Sequence, residues 1–180
     1  MKPSKTYSEK DLHYLKMLAR QYPNVQAASS EIINLQAILN LPKGTEHFIS
    51  DVHGEYEAFL HILNSASGVV REKLDLLFAT TVSKADLDQL ATLIYYPQEK
   101  LEEIERETAD MREWYRITFH RLIEMCREVS SKYTRSKVRK AMPKEYAYII
   151  DELIHTHYED SDKRDYYENI ISTIIDIDRA

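Results

Sequence analysis

The chain has 180 residues with 24 basic and 30 acidic side chains, which gives a formal net charge of −6. Only 3 of its residues are glycine, whereas glycine makes up about 7% of an average protein. Barrels, sandwiches and doubly wound sheets need glycine at turns, bulges and phosphate-binding loops, so this composition argues against a complete example of any of them. Leu, Ile, Ala, Glu and Lys are frequent, and all are compatible with helix. We therefore predict a mainly α protein, a helical bundle with one short strand.

Several absences in the sequence indicate the compartment. No apolar run reaches the about 20 residues that a membrane span requires, and the N-terminus lacks the apolar core of a signal peptide. The single cysteine, Cys126, permits neither an internal disulfide nor a Cys-rich zinc site. We expect a cytoplasmic protein that does not bind membranes, and the acidic balance disfavours general nucleic-acid binding.

Residues 1–45 are predicted to form an N-terminal helical segment with two helices. Ser8 can cap the first helix, because its hydroxyl can accept a backbone N–H, and Pro23 follows the end of that helix. The second helix is expected from about Asn24 to Asn40, where apolar residues recur at helical spacing before a Leu-Pro-Lys-Gly turn.

The only convincing strand is Glu46–Ser50. It continues into a short loop, and the next helix is expected from Glu55 to Asn64, before a turn at Gly68. We assign residues 46–68 to one strand–loop–helix unit. A single strand has no partner in the chain, so we expect either an irregular extended segment or a strand that pairs with a second copy in a homo-oligomer.

The remaining sequence, residues 69–180, is predicted to be a helical insertion. After Pro97, a seven-residue apolar repeat predicts one long helix, in which Leu101 and Ile104 begin the two apolar rows. We expect this helix to pack as an antiparallel hairpin within the chain, and an intermolecular coiled coil is the alternative. The helices of this region are predicted at about residues 69–77, 83–95, 97–133, 143–158 and 163–178.

One group of residues has the composition of a metal site. Asp51 and His53 follow the strand with one residue between them. Asp supplies a hard oxygen ligand that can bridge two metal ions, and His supplies a nitrogen that suits Mn, Fe or Zn. Gly54 allows the backbone to turn tightly, and the N-terminus of the next helix favours an anion such as phosphate. Without further context, a turn with a pair of polar surface residues explains Asp51 and His53 better than a metal site does.

The context of Asp51-Val52-His53 resembles a known family. Asp-x-His after a hydrophobic strand is the first signature block of the calcineurin-like metallophosphatases. The flanking sequence resembles the start of the class III (Firmicutes-type) bacterial fructose-1,6-bisphosphatases, and the resemblance extends over essentially the whole chain. The segments that carry it are residues 29–41, 43–59 and 64–68, Tyr95-Tyr96-Pro97 and the Ile-rich final helix.

The resemblance implies both a fold and an activity. It implies an α/β metallophosphatase core with a helical segment inserted between the first and second metal blocks. It also implies hydrolysis of the 1-phosphate of fructose 1,6-bisphosphate in gluconeogenesis, with manganese as the usual cofactor. Asp51 and His53 carry over as metal ligands and catalytic residues. In sites of this class, two metal ions clamp the phosphate and activate a water for attack on phosphorus.

The chain departs from this family in its glycines. The later metal blocks of the family begin Gly-Asp or Gly-Asn-His, whereas Gly44, Gly54 and Gly68 are the only glycines here and none is followed by Asp or Asn. We therefore expect the chain to be the N-terminal part of such an enzyme and to be inactive alone, because two ligands cannot fix two metal ions. The alternative is a non-catalytic helical interaction or regulatory module with a vestigial Asp-x-His loop.

Two further features remain open. Asp151 and His155, four residues apart on a predicted helix, could share an ion, but no complete zinc motif surrounds them. A basic island interrupts the acidic chain, and we interpret it as a solvated surface between two helices. The alternative is a binding site for a phosphorylated effector, a nucleic acid or an acidic partner. The island comprises Lys132, Arg135, Lys137, Arg139, Lys140 and Lys144.

Overall fold

The computed structural model describes residues 7–44, 46–156 and 161–177, and all regular structure in these residues is helical. The mainly α prediction is confirmed. The chain divides into two compact units, Met1–Lys43 and Gly44–Ala180. No helix of the described residues is both long enough and apolar enough to cross a membrane. The helices are α1 (Glu9–Gln21), α2 (Val25–Ile38), α3 (Tyr56–Asn64), α4 (Val69–Phe78), α5 (Lys84–Tyr95), α6 (Pro97–Glu107), α7 (Met111–Ser130), α8 (Arg135–Ala141), α9 (Ala147–His155), the 3-10 turn Ser161–Lys163, and α10 (Arg164–Asp176).

The first unit contains α1 and α2, and a polar side chain caps each of them. In α1, the Asp11 N–H donates to Ser8 Oγ at 3.2 Å and the Ser8 N–H donates to Asp11 Oδ2 at 3.1 Å, which forms a capping box. The Ser8 hydroxyl and backbone N–H, both bonded to the Asp11 carboxylate, lower its pKa. In α2, the Ala27 N–H donates to Asn24 Oδ1 at 2.8 Å. The predicted starts of both helices are confirmed.

The strand predicted at Glu46–Ser50 is not formed. These residues have no regular secondary structure, which matches the irregular alternative. A strand needs a neighbour to satisfy its backbone N–H and C=O groups, and residues 7–44, 46–156 and 161–177 contain no other strand. Apolar burial does not compensate, because Phe48 is 92% exposed.

The single long helix predicted over residues 97–133 is wrong, because two helices, α6 and α7, form there. Thr108 has extended backbone angles, which end α6. Asp110 caps α7 by accepting a hydrogen bond at 3.0 Å from the backbone N–H three residues later. The apolar repeat continues through this break because Ile104 of α6 and Met125 of α7 enter the same hydrophobic cluster.

The core of the second unit consists of two hydrophobic clusters that share α7. Ile123 and Met125 enter different clusters, because residues two apart on a helix point to opposite sides. The first cluster, between α4, α5, α6 and α7, contains Leu74, Leu87, Leu90, Ala91, Leu93, Ile104 and Met125. The second cluster, between α7, α9 and α10, contains Ile123, Leu153, Tyr167 and Ile171.

Helix α8 lies inside the basic island, where the sequence predicts a surface between two helices. Thr134 caps this helix by accepting a hydrogen bond from the Lys137 N–H at 3.3 Å. The sequence does not reveal α8, because its 7 residues carry too few apolar side chains to show a helical period. The helix predicted from Pro143 accordingly begins later, at Ala147.

Arg127 fixes the end of α9 to α7. Its guanidinium donates to the backbone carbonyls of Leu153 and Ile154 at 2.8 and 2.9 Å, two of the groups that a helix end leaves without an intrahelical partner. Helix α9 ends at His155. The helix ends predicted near residues 158 and 178 lie outside the described residues.

Leu74→Ala and Ile171→Ala test the two clusters separately. Both side chains are completely buried, at 0% exposure, so each truncation should lower the free energy of unfolding by about 2–5 kcal/mol through lost burial and a residual cavity. Leu76→Ala is the control for α4, because Leu76 is 69% exposed and its truncation should cost only about 0.5 kcal/mol. Urea unfolding followed by circular dichroism measures all three values. Equal losses for Leu74→Ala and Leu76→Ala would contradict the position of the first cluster.

Candidate functional site

The loop Asp51–Gly54 connects the irregular segment to α3 and has an unusual backbone. The angle φ is 53° at Asp51, 51° at His53 and 76° at Gly54, so these three residues are left-handed. For residues with a Cβ this conformation costs about 1–2 kcal/mol, although Asp and His adopt it more often than most. Strained residues of this kind concentrate at binding and catalytic sites. The turn Ala66–Gly68 after α3 is left-handed as well, but only the Asp51–Gly54 loop combines this backbone with side chains that can bind a metal ion, which makes it the first candidate for a functional site.

Short-range hydrogen bonds shape the loop. The Glu55 N–H donates to the Val52 carbonyl at 3.0 Å, and the Tyr56 N–H donates to the Gly54 carbonyl at 2.9 Å. A Cβ on Gly54 would meet no atom within 4 Å, so the left-handed φ, rather than a lack of space, favours glycine here. Helix α3 begins at Tyr56, which puts the positive end of its dipole next to the loop.

Asp51 and His53 provide two potential metal ligands, and both residues are exposed. A carboxylate oxygen together with an imidazole nitrogen suits Mn, Fe or Zn. Residues 7–44, 46–156 and 161–177 contain no group of 3 or more His, Cys, Asp or Glu side chains that could hold a metal ion. Catalytic zinc sites, for comparison, take about three protein ligands for one metal. The loop therefore offers two potential ligands, and the described residues contain no complete metal site.

The same Asp-x-His triplet occurs a second time, at Asp11 and His13, and the structure distinguishes the two. Asp11 and His13 lie in α1, where side chains two positions apart do not face each other. The Asp11 carboxylate also accepts hydrogen bonds from Ser8. An Asp-x-His triplet alone therefore does not define a pair of metal ligands. Asp51 and His53 differ from Asp11 and His13 because they lie in a loop with a left-handed backbone.

Asp151 and His155, the other ligand pair considered from the sequence, are brought together on α9. His155 Nδ1 lies 2.8 Å from the backbone oxygen of Asp151 and 3.3 Å from the carboxylate oxygen Oδ1 of the same residue. Arg135 of α8 approaches the same carboxylate at 3.4 Å. A ring nitrogen that donates to a carbonyl has no lone pair for a metal ion. These residues form a hydrogen-bonded cluster that links α8 to α9.

Helix α3 is anchored by side chains that no sequence pattern singles out. His61 Nδ1 lies 2.7 Å from the Tyr96 hydroxyl, and Asn64 Nδ2 donates to the Tyr95 carbonyl at 2.8 Å. Burial raises the pKa of Tyr95. The contact between Asn64 and Tyr95 joins two of the segments that carry the family resemblance, and its separation of 31 residues leaves no local pattern that could reveal it.

Comparison with known proteins establishes the family. Residues 13–180 match the family model described as Firmicute fructose-1,6-bisphosphatase. The chain belongs to the Firmicute fructose-1,6-bisphosphatase family. The resemblance inferred from the sequence is confirmed by this match. No solved structure matches the chain.

Two curated relatives in this family show the extent of the similarity. A protein from Clostridium novyi (strain NT) named "Fructose-1,6-bisphosphatase class 3" is 60% identical over 172 residues, which cover 96% of this chain and 26% of the relative. A protein of the same name from Clostridium botulinum (strain Loch Maree / Type A3) is 59% identical over 181 residues, which cover 97% of this chain and 27% of the relative. The chain spans about a quarter of the length of the curated relatives it matches.

Substitution of His53 tests the left-handed backbone of the loop. His53→Gly should have a free energy of unfolding about 1 kcal/mol higher than His53→Ala, because only alanine carries a Cβ that opposes a φ of 51°. At Glu102, which is exposed within α6, the order should reverse, because alanine favours helix over glycine by about 1 kcal/mol. Urea unfolding of the four variants gives both differences. Equal stability of His53→Ala and His53→Gly would show that the left-handed assignment is wrong.

Proposed function

We propose that this chain supplies the first metal-binding block of a phosphatase that hydrolyses the 1-phosphate of fructose 1,6-bisphosphate in gluconeogenesis. Asp51 and His53 are its metal ligands. One observation carries the proposal: in a chain 60% identical to a protein named "Fructose-1,6-bisphosphatase class 3", the Asp-x-His pair lies in a loop with a left-handed backbone. Such an enzyme of sugar metabolism acts in the cytoplasm.

Manganese is the cation proposed for this site. The donor set fits, because carboxylate oxygen and imidazole nitrogen are both suitable ligands for it. A divalent cation bound there supplies positive charge to phosphate oxygens and lowers the pKa of water. Asp51 and His53 are exposed, so water and a phosphate group can reach both side chains.

The chain's own contribution is to hold two ligands beside a place for phosphate. Gly54 permits the turn between the ligands and α3. The positive end of the α3 dipole favours an anion at this point, and the contacts of His61 and Asn64 with the end of α5 hold α3 in position. Residues 46–68 are then the first unit of a metallophosphatase core, and residues 69–180 are its helical insertion.

The isolated chain is proposed to be inactive. Two side chains cannot fix two metal ions, and the described part of the chain offers no group of 3 ligands. Further ligands must therefore come from outside these residues. The loop therefore contributes to binding of the cation, whereas turnover of the substrate requires a complete site.

A hybrid enzyme tests the proposed function. The chain replaces the matched region of the Clostridium novyi relative, which is 26% of that protein, and Mn²⁺-dependent release of phosphate from fructose 1,6-bisphosphate is measured. Asp51→Asn and His53→Asn should each lower kcat/KM by at least about 100-fold, because each removes a metal ligand.

Asp11→Asn and His13→Asn are the matched controls, because they alter the same triplet within α1. They should retain the activity of the hybrid within about twofold, and circular dichroism checks that all variants fold. Unchanged activity in the Asp51 and His53 variants would instead favour a helical interaction or regulatory module with a vestigial loop. Phosphate release by the isolated chain would contradict its proposed inactivity.

A further inference from the structure

A second candidate site lies in the basic island and shares no residue with the Asp51–Gly54 loop. A cleft of about 840 Å³ opens there, and none of the residues that line it is acidic. We refer to it as the basic cleft. Its lining includes Arg135, Ser136, Arg139, Lys140, Met142 and Lys144.

A short helix and the turn after it together form the basic cleft. Arg135 and Arg139 are four residues apart on α8 and therefore share one face of the helix. After α8, the Met142 N–H donates to the Arg139 carbonyl at 3.3 Å, and the chain turns. Lys144 follows in this turn and lines the same cleft. The turn thus adds a cation from outside the helix to those of α8.

Three cations of the basic cleft are not neutralised. Arg135 pairs with Asp151 at 3.4 Å. Arg139, Lys140 and Lys144 make no ion pair or side-chain hydrogen bond within residues 7–44, 46–156 and 161–177. The chain has a net charge of −6, so the unpaired cations do not reflect a shortage of carboxylates.

Helix electrostatics explains only part of this arrangement. Arg139 and Lys140 lie in the last turn of α8, where cations interact favourably with the helix dipole. Lys144 lies beyond the helix and has no such reason to be there. Lys137 of the same helix instead covers the ring of Tyr133, with Nζ 4.6 Å from the ring centre. Lys132 also lies over this ring, at 5.7 Å. Two cations of the basic island therefore cover an aromatic ring, whereas three unpaired ones line a cleft.

We propose that the basic cleft binds a small phosphorylated metabolite. Guanidinium and ammonium groups are the usual phosphate ligands in proteins, and a guanidinium such as that of Arg139 can donate two parallel hydrogen bonds to phosphate oxygens. The cleft volume of about 840 Å³ falls within the range of about 300–1,000 Å³ typical of small-molecule sites. A nucleic acid fits less well, because the chain is acidic and Lys137 covers the Tyr133 ring on which a base could stack.

Inorganic phosphate tests the basic cleft directly. It is added at constant ionic strength to the isotopically labelled 180-residue chain, and amide chemical shifts are followed by NMR. We expect saturable shifts confined to residues 135–147. The double variant Arg139→Gln with Lys144→Gln should weaken phosphate binding about tenfold, because two charge-assisted contacts are lost.

The double variant Arg20→Gln with Lys84→Gln is the matched control. It removes one arginine and one lysine that are exposed outside the basic cleft, so it should leave phosphate affinity unchanged, and circular dichroism checks that both double variants fold. Equal weakening by both, or the same shifts with sodium chloride, would overturn the site, because either result indicates general ion screening. Tighter binding of a single-stranded oligonucleotide than of phosphate at residues 135–147 would overturn it in favour of a nucleic acid.

Discussion

Helix α7 is buried on two opposite sides at once, and the second unit depends on this constraint. Ile123 enters the cluster with α9 and α10, whereas Met125 enters the cluster with α4, α5 and α6. Arg127 lies one turn after Ile123 and donates to the carbonyls at the end of α9. Because both clusters use the same helix, a displacement of α7 would disturb both hydrophobic clusters and the end of α9 together.

The Asp51–Gly54 loop is linked to this core by a short series of contacts. The first cluster fixes α5, and the carbonyl of Tyr95 at the end of α5 accepts a hydrogen bond from Asn64 of α3. Helix α3 begins immediately after the loop. The helices of the proposed insertion therefore hold the helix that follows Asp51 and His53, while these two residues stay exposed to solvent. A rigid support with exposed ligands is the arrangement that a binding loop requires.

The sequence predicts structure well where local chemistry decides it and poorly where distant contacts do. Ser8 marks the start of α1 because its hydroxyl caps the helix. The break at Asp110 is not visible, because the apolar repeat on either side serves one cluster. The strand at residues 46–50 has the composition of a strand but no partner among the described residues. At the site, the residue types of Asp51 and His53 indicate metal ligation, but no sequence pattern identifies the left-handed backbone of these two residues.

Asp51 and His53 either bind a metal ion or belong to a vestigial loop, and crystals of the hybrid enzyme grown with Mn²⁺ distinguish the two most directly. Anomalous scattering measured at the manganese absorption edge locates each bound ion independently of activity. We expect an anomalous peak within ligand distance of the Asp51 carboxylate and the His53 imidazole. Manganese peaks found only elsewhere in the hybrid, with both side chains facing solvent, would contradict the proposed role of this loop.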